Sequence, residues 1–265
     1  MHQVGNNSKQ KAMKKQHTSR LLLVLISFFY LNSVQTSAQV VEVATGLSSP
    51  YGLAIDQASH LYISQSGTTN GNKISFIILN DANPVVSDLF TTNLNTPTRL
   101  KLSDDNYLYV CESSPTAHRI SRANMGSIST PQMLPYFSTG LATPMGIDVK
   151  NNTVYVGDFG SYTIKKIITT ISPLQASPVL YDLATDVIID GALLYYANPV
   201  DGKVFSNTIL NPTMPSSELV TGIPHPSSIL LDNGFLYISD STEGKIYRTS
   251  IQGSSTTPTL LVSGL

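Results

Sequence analysis

Short apolar stretches that alternate with polar residues fill most of the chain after about residue 40. Leu53 and Ile55, and then Leu61 and Ile63, occupy every second position, which is the period of a strand with one buried face. Turn-forming residues such as Asp232–Gly234 separate these stretches. The pattern predicts many short strands and no long amphipathic helix in this part of the chain.

The strand pattern repeats five times. Each copy has an opening stretch, a second stretch with a tyrosine, a third with a central Ile or Val, and a short fourth stretch. The landmarks return roughly every 40 to 47 residues. They are Tyr62, Tyr109, Tyr155, Tyr195 and Tyr237, and Ile74, Ile120, Ile164, Val204 and Ile246. Four short strands per repeat predict an all-β fold, a β-propeller of four-stranded blades, with Leu53 and Ile238 inside their strands.

Three segments carry a resemblance to a known family: Pro50–Asp56 (PYGLAID), Pro144–Asp148 and Leu236–Asp240. The repeat resembles those of the NHL-repeat and gluconolactonase (regucalcin-like) propellers, and the resemblance covers nearly all of 40–265. It implies the propeller fold. It is weak for function, because propellers host many activities.

The number of blades is left open by the sequence. Propellers of these families usually have six blades, whereas this chain has five copies of the first three strands. Val40–Val43 is a sixth candidate fourth strand, and Ser263–Leu265 ends in register with the start of another copy. Either the ring closes as five blades with a terminal strand completing it, or it is an incomplete six-bladed ring. The second alternative is favoured slightly.

The first 38 residues have the order of a secretory signal peptide. A basic head ends at Arg20, the apolar run Leu21–Leu31 follows, and Thr36 and Ala38 provide a small-residue cleavage site. The apolar run is shorter than the ~20 residues that a membrane-spanning helix needs. We therefore expect residues 1–38 to be removed and 39–265 to form the propeller, secreted or periplasmic and without stable membrane insertion.

Charge and cysteine content narrow the function classes. Removal of the basic head leaves the predicted mature chain with a net charge of about −6, and no basic stripe that would bind nucleic acid is visible. Cys111 is the only cysteine, so no disulfide can form within the chain. It lies in an apolar strand pattern, which predicts a buried thiol.

No catalytic motif is recognisable. The resemblance implies that lactonases of this kind hold a divalent metal with oxygen ligands in the channel, at an acidic or amide residue in the repeat openings. Here the corresponding residues are Tyr51, Thr98, Met145 and Ser227, and only Asp186 offers a carboxylate. The family's metal ligands therefore do not carry over. We expect no cofactor, with a divalent cation such as calcium as the alternative.

The openings vary most between copies, which is what a binding face requires and also what drift on a surface would produce. The candidate binding residues are Tyr51, Arg99, Met145, Asp186 and Ser227. The leading interpretation is an exported binding module for a protein or carbohydrate, and the alternative is a gluconolactonase-like hydrolase. For Arg99, an ion pair with Asp148 or Glu112 of a neighbouring blade is an equally good hypothesis.

A second polar set ends the second stretch of each copy. We expect its members to accept backbone N–H groups at turns, and the alternative is a polar ring at one face. The set comprises Gln65, Glu112, Asp158, Asn198 and Asp240.

Overall fold

A computed structural model describes residues 42–67, 72–126, 131–252 and 257–265. The predicted signal peptide and its cleavage site lie outside the described residues. Among those described, the chain forms strands almost throughout, and a single 3-10 turn at Phe159–Ser161 is the only helical element. The all-β prediction is confirmed, and so is the β-propeller, since the strands form five four-stranded sheets.

Each sheet is an antiparallel meander of four strands that follow one another in the chain, and each is one blade. Blades 1 and 2 comprise β1 (Pro50–Ile55), β2 (His60–Ser66), β3 (Asn72–Ile78), β4 (Ser87–Phe90), β5 (Pro97–Leu102), β6 (Tyr107–Ser114), β7 (Ala117–Asn124) and β8 (Leu134–Phe137). Blades 3 to 5 comprise β9 (Pro144–Lys150), β10 (Thr153–Asp158), β11 (Thr163–Ile168), β12 (Ala176–Leu180), β13 (Asp186–Asp190), β14 (Leu193–Asn198), β15 (Lys203–Thr208), β16 (Ser217–Thr221), β17 (Pro226–Asp232), β18 (Phe235–Asp240), β19 (Lys245–Ser250) and β20 (Thr259–Ser263).

Every blade takes all four of its strands from its own repeat, so the alternative in which a terminal strand completes a five-bladed ring is wrong. Of the candidate strand Val40–Val43, residues 40 and 41 lie outside the described residues. Glu42 and Val43 belong to no strand. The fourth strand of blade 5 is β20, which pairs with β19.

The first strand of each blade is the inner strand, since the first strands of successive blades contact one another. A proline begins the inner strand in four blades, at Pro50, Pro97, Pro144 and Pro226. The antiparallel pairing is interrupted by a bulge directly after each of these prolines. Proline lacks the N–H group that a regular ladder requires, so it is tolerated at a strand start or a bulge. The bulge changes the pairing register with the second strand. It therefore changes the face of the sheet toward which the side chains just after the proline point.

Apolar residues between neighbouring blades form four core clusters, which join blades 1 and 2, 2 and 3, 3 and 4, and 4 and 5. The repeat landmarks build them. Ile74, Ile120, Ile164 and Val204 are fully buried at the four interfaces. The predicted repeat register is thereby confirmed.

Blade 5 and blade 1 share no core cluster among the described residues. Leu53 in β1 is 61% exposed, whereas its counterpart Leu100 in β5 is 5% exposed. The expectation that Leu53 lies in a packed strand interior is therefore wrong, because the face of blade 1 that carries it has no neighbouring blade packed on its inner strand. Ile238 is buried, as expected.

Candidate functional site

The five variable opening residues all lie in inner strands. They are Tyr51 in β1, Arg99 in β5, Met145 in β9, Asp186 in β13 and Ser227 in β17. They occupy two successive positions of the repeat rather than one. Arg99 and Asp186 directly precede the apolar inner-strand residue, as do Gly52, Gly146 and Ser228. Tyr51, Met145 and Ser227 stand one position earlier.

The Arg99 side chain crosses the space that the inner strands enclose. Its Nη1 donates to the Tyr51 carbonyl at 3.1 Å, and its Nη2 donates to the Ser227 carbonyl at 2.6 Å. Its Nε lies 3.4 Å from Oδ2 of Asp186, an ion pair without hydrogen-bond alignment. One guanidinium thus connects blade 2 to blades 1, 4 and 5. We call Arg99, Tyr51, Asp186 and Ser227 the Arg99 cluster.

Asp186 is the buried acidic partner in this cluster. Its Oδ2 accepts hydrogen bonds from Ser228 Oγ at 2.8 Å and from the Ile229 amide at 3.0 Å, both in blade 5. Burial raises the pKa of the Asp186 carboxyl above its ordinary value, and the Arg99 guanidinium opposes that rise. The Asp186 carboxylate therefore joins blades 4 and 5. The Arg99 guanidinium lowers the free-energy cost of keeping this buried carboxylate charged.

Tyr51 is the exposed member of the cluster. The Arg99 guanidinium lies over its ring, 4.9 Å from the ring centre, and 39% of the residue is exposed. Burial of the remaining part raises the pKa of Tyr51. Met145 in blade 3 is half-buried, and the neighbouring Gly146 lies against the Asp186 backbone.

The predicted partners of Arg99 are wrong, although an ion pair does form. Asp148 pairs with Lys101 at 2.7 Å and accepts the Ile189 amide of blade 4. Glu112 pairs with Arg119 at 2.9 Å within blade 2. The sequence could not reveal that the Arg99 side chain crosses to blade 4, because the bulge that follows Pro97 sets its direction.

The polar residues at or near the ends of the second strands accept backbone amides, as expected. Gln65 accepts the Ser48 amide at 2.7 Å, and Asp240 accepts the Thr242 amide at 2.8 Å. Asp158 accepts the Thr143 amide at 2.6 Å and pairs with Lys165. Glu112 and Asn198 bind backbone amides in the same way. All five are buried. Gln65, Glu112 and Asp158 bind the segment before the first strand of their own blade, whereas Asn198 and Asp240 bind the turn that follows their own strand.

Among the described residues, no group of three or more His, Cys, Asp and Glu side chains is placed to hold a metal ion. Asp186, the one carboxylate among the variable openings, already faces a guanidinium and accepts hydrogen bonds from blade 5. A divalent cation would have to displace Arg99 to use it. The residues present therefore do not fit the metal that the gluconolactonase resemblance implies. Cys111 is buried, and burial raises the pKa of its thiol.

A groove of about 760 Å³ runs beside blades 2 and 3. Its lining includes His118, Arg119, Tyr136 and Thr139. None of these residues is among the candidate binding residues that the sequence predicts. His118 and Arg119 lie at the start of the third strand of blade 2. Other copies also have a basic residue at this place, so the sequence of this copy did not indicate a groove.

The fold is similar to that of several solved propellers. A chain in the crystal structure of a nidogen/laminin complex matches with a TM-score of 0.64 at 17% identity, over 82% of this chain and 86% of that chain. Virginiamycin B lyase from Staphylococcus aureus matches with a TM-score of 0.60 at 16% identity, over 83% and 73%. The PQQ-bound aldose sugar dehydrogenase from Streptomyces coelicolor matches with a TM-score of 0.63 at 18% identity, over 85% of both chains.

At these identities the similarity establishes the fold alone. No family model and no curated protein sequence matches the chain. The resemblance to the NHL-repeat and gluconolactonase propellers therefore stays a prediction beyond the shared propeller architecture. In the part of the chain that the structure describes, no helix has the length and apolar character to cross a membrane.

Proposed function

We propose that this chain is an exported propeller that binds a protein ligand through the face that carries Tyr51, Arg99 and Met145. One observation carries the proposal: the exposed Tyr51 ring packs on the guanidinium of Arg99. That guanidinium, from blade 2, is held in place by contacts with blades 1, 4 and 5. Aromatic residues, Arg and Met are enriched at protein interfaces. A rigid anchor loses little side-chain entropy when it binds, which favours affinity.

Carbohydrate is the second ligand class, because an exposed tyrosine also stacks on sugar rings. The similar folds do not choose between binding and catalysis, since they include a chain of a nidogen/laminin complex, a lyase and a dehydrogenase. The hydrolase alternative has no observation in its favour, because Arg99 occupies the carboxylate that it would require.

The binding test compares Tyr51→Ala with Tyr181→Ala. Tyr181 is 71% exposed and follows the outer strand β12, so it is a matched control outside the proposed face. Immobilised wild-type protein and both variants are exposed to native extracellular fluid and to a glycan array. We expect Tyr51→Ala to lower recovery of the ligand about tenfold or more, as loss of an interface anchor does.

Equal recovery by Tyr51→Ala and the wild type would contradict the proposed face. Binding that is detected only on the glycan array would show that the ligand is a carbohydrate and not a protein.

The hydrolase alternative is tested separately with calcium. We expect the melting temperature to be the same with and without calcium, and a rise that depends on Asp186 would favour the alternative.

Export is tested by the intact mass of the protein recovered outside the cytoplasm. We expect an N-terminus at or within a few residues of Gln39. A mature species that retains Leu21–Leu31 would contradict the signal-peptide assignment.

A further inference from the structure

The hairpin turn between β10 and β11 of blade 3, residues 159–162, carries an exposed aromatic residue in an unfavourable backbone conformation. Tyr162 closes this turn with φ +53° and ψ +42°, in the left-handed region, and the residue is 62% exposed. The Cβ of a side chain lies too close to the following carbonyl oxygen in this region. A bulky residue is therefore an outlier there.

Two other blades have a turn of the same length at this place and close it with glycine. Gly202 in blade 4 and Gly244 in blade 5 directly precede the third strand, as Tyr162 does, and their φ values are +65° and +60°. Glycine adopts this conformation without a steric penalty. The backbone of the blade 3 turn is therefore strained where the other two turns are not. Strain of this kind clusters at functional sites.

Packing within the propeller does not account for a tyrosine at this position. Tyr162 belongs to none of the four core clusters between the described blades. Its ring stacks on the half-buried Phe159 at the start of the same turn, with ring centres 6.5 Å apart and 24° between the ring planes. The two rings thus form one aromatic surface, and most of the Tyr162 side of it faces water.

The turn that supports this ring is fixed to its blade. The Asp158 carboxylate accepts hydrogen bonds from the Thr143 amide at 2.6 Å and from Ser161 Oγ at 2.7 Å. A Cβ on Gly160 would lie 2.5 Å from Thr143 Oγ1, so the turn packs closely on the segment before β9. An aromatic ring on such a support loses little conformational entropy when it binds.

The turn lies at the same end of blade 3 as Met145. Asp158 at the end of β10 pairs with Pro144 at the start of β9, and Met145 follows that proline. The carboxylate of Asp158, beside the turn, is neutralised by Lys165. The surface that the turn offers is therefore aromatic and without net charge, which fits an apolar or aromatic side chain of a protein better than a charged group.

We propose that Tyr162 is a second anchor for the protein ligand of the face that carries Tyr51 and Met145. Its ring packs against an apolar or aromatic side chain of that ligand. This inference rests on the proposed function and adds to it a contact on blade 3. The tyrosine strains the turn of the free protein, and the contact that compensates for this strain forms only in the complex.

The first test places a photoreactive residue at the proposed contact. Protein with Tyr162→p-benzoylphenylalanine is irradiated in native extracellular fluid. Tyr181→p-benzoylphenylalanine is the control, because Tyr181 is 71% exposed and follows the outer strand β12. We expect a covalent adduct at position 162, but not at position 181, with a protein that the wild type also recovers. The absence of an adduct at position 162, or the same adduct at both positions, would overturn the proposal.

Tyr162→Gly separates a binding role from a structural one. We expect this variant to recover the cross-linked protein about tenfold less well than the wild type. Its melting temperature should stay the same or rise by about 2 °C, because glycine relieves the strain in the turn. A lower melting temperature with unchanged recovery would show that the tyrosine is structural and would overturn the proposal. If recovery and melting temperature both fall, the adduct at position 162 decides.

The same measurement on Tyr51→Ala distinguishes this inference from the proposed function. Unchanged recovery by Tyr162→Gly together with a loss for Tyr51→Ala would overturn the second anchor and leave the proposed face in place. Unchanged recovery by both variants would overturn the proposed face as well.

Discussion

At the scale of single residues, Arg99 combines three contacts that no neighbouring side chain duplicates among the described residues. Its guanidinium reaches two carbonyls and the buried Asp186 carboxylate. Arg99→Ala leaves that carboxylate buried without its cation, which is expected to cost about 3 kcal/mol of unfolding free energy. Urea denaturation measures the loss.

Lys101→Ala is the control for Arg99→Ala. Lys101 lies two residues further along β5 and also forms an ion pair, but 42% of its side chain is exposed. Its removal is expected to cost at most about 1 kcal/mol. Similar losses for the two variants would show that Arg99 is not the buried link between blades.

The cost of Arg99→Ala depends on pH, and Asp186 fixes the direction. Burial already raises the pKa of Asp186, and loss of Arg99 removes the group that opposes the rise. A raised folded-state pKa contributes stability at acid pH that is lost as the pH increases through that pKa. The destabilisation should therefore be smaller at about pH 4, near the ordinary aspartate value, than at about pH 7. A loss that is independent of pH would contradict the assigned role of Asp186.

At the scale of elements, neighbouring inner strands approach one another most closely at the glycine position of the repeat. A Cβ on Gly146 would lie 2.6 Å from the Asp186 Cα of the next blade, and one on Gly52 would lie 2.3 Å from the Thr98 carbonyl oxygen. These contacts are with backbone atoms, so relief requires one strand to move. The glycines thus set the spacing between blades 1 and 2 and between blades 3 and 4.

Gly146→Ala is expected to lower the unfolding free energy by about 1–3 kcal/mol, as overpacking does. Gly126→Ala is the control, because its new Cβ would meet only the Asn106 side chain, at 3.3 Å. Chemical denaturation of both variants tests the assignment. A Gly146→Ala protein as stable as the wild type would mean that the inner strands are further apart.

The strands and their grouping could be predicted from the sequence because the landmark Tyr and Ile residues repeat with the blade. Their side chains do the same job in each copy, so the period is visible. The Arg99–Asp186 pair could not be predicted, because it joins residues in non-adjacent blades and depends on the bulge after Pro97. The sequence therefore marks Tyr51, Arg99, Asp186 and Ser227 as variable positions, but it does not show that Arg99 contacts the other three.

At the scale of the whole molecule, five blades are joined by four cores. The sequence pattern assigned Leu53 to a packed interior, because alternation shows which face is apolar but not whether another blade covers it. Whether the face of blade 1 is covered depends on whether the first and last blades of the ring meet. The sequence of one repeat does not contain that information.

The most direct test of this account measures unfolding free energies for Leu53→Ala and Leu100→Ala, the same substitution at equivalent positions of blades 1 and 2. Leu100 is 5% exposed, and its truncation is expected to cost about 2–5 kcal/mol. Leu53 is 61% exposed, and its truncation is expected to change stability by only about 0.5 kcal/mol. Equal, large losses at both positions would contradict the open face and show that blade 5 packs on blade 1.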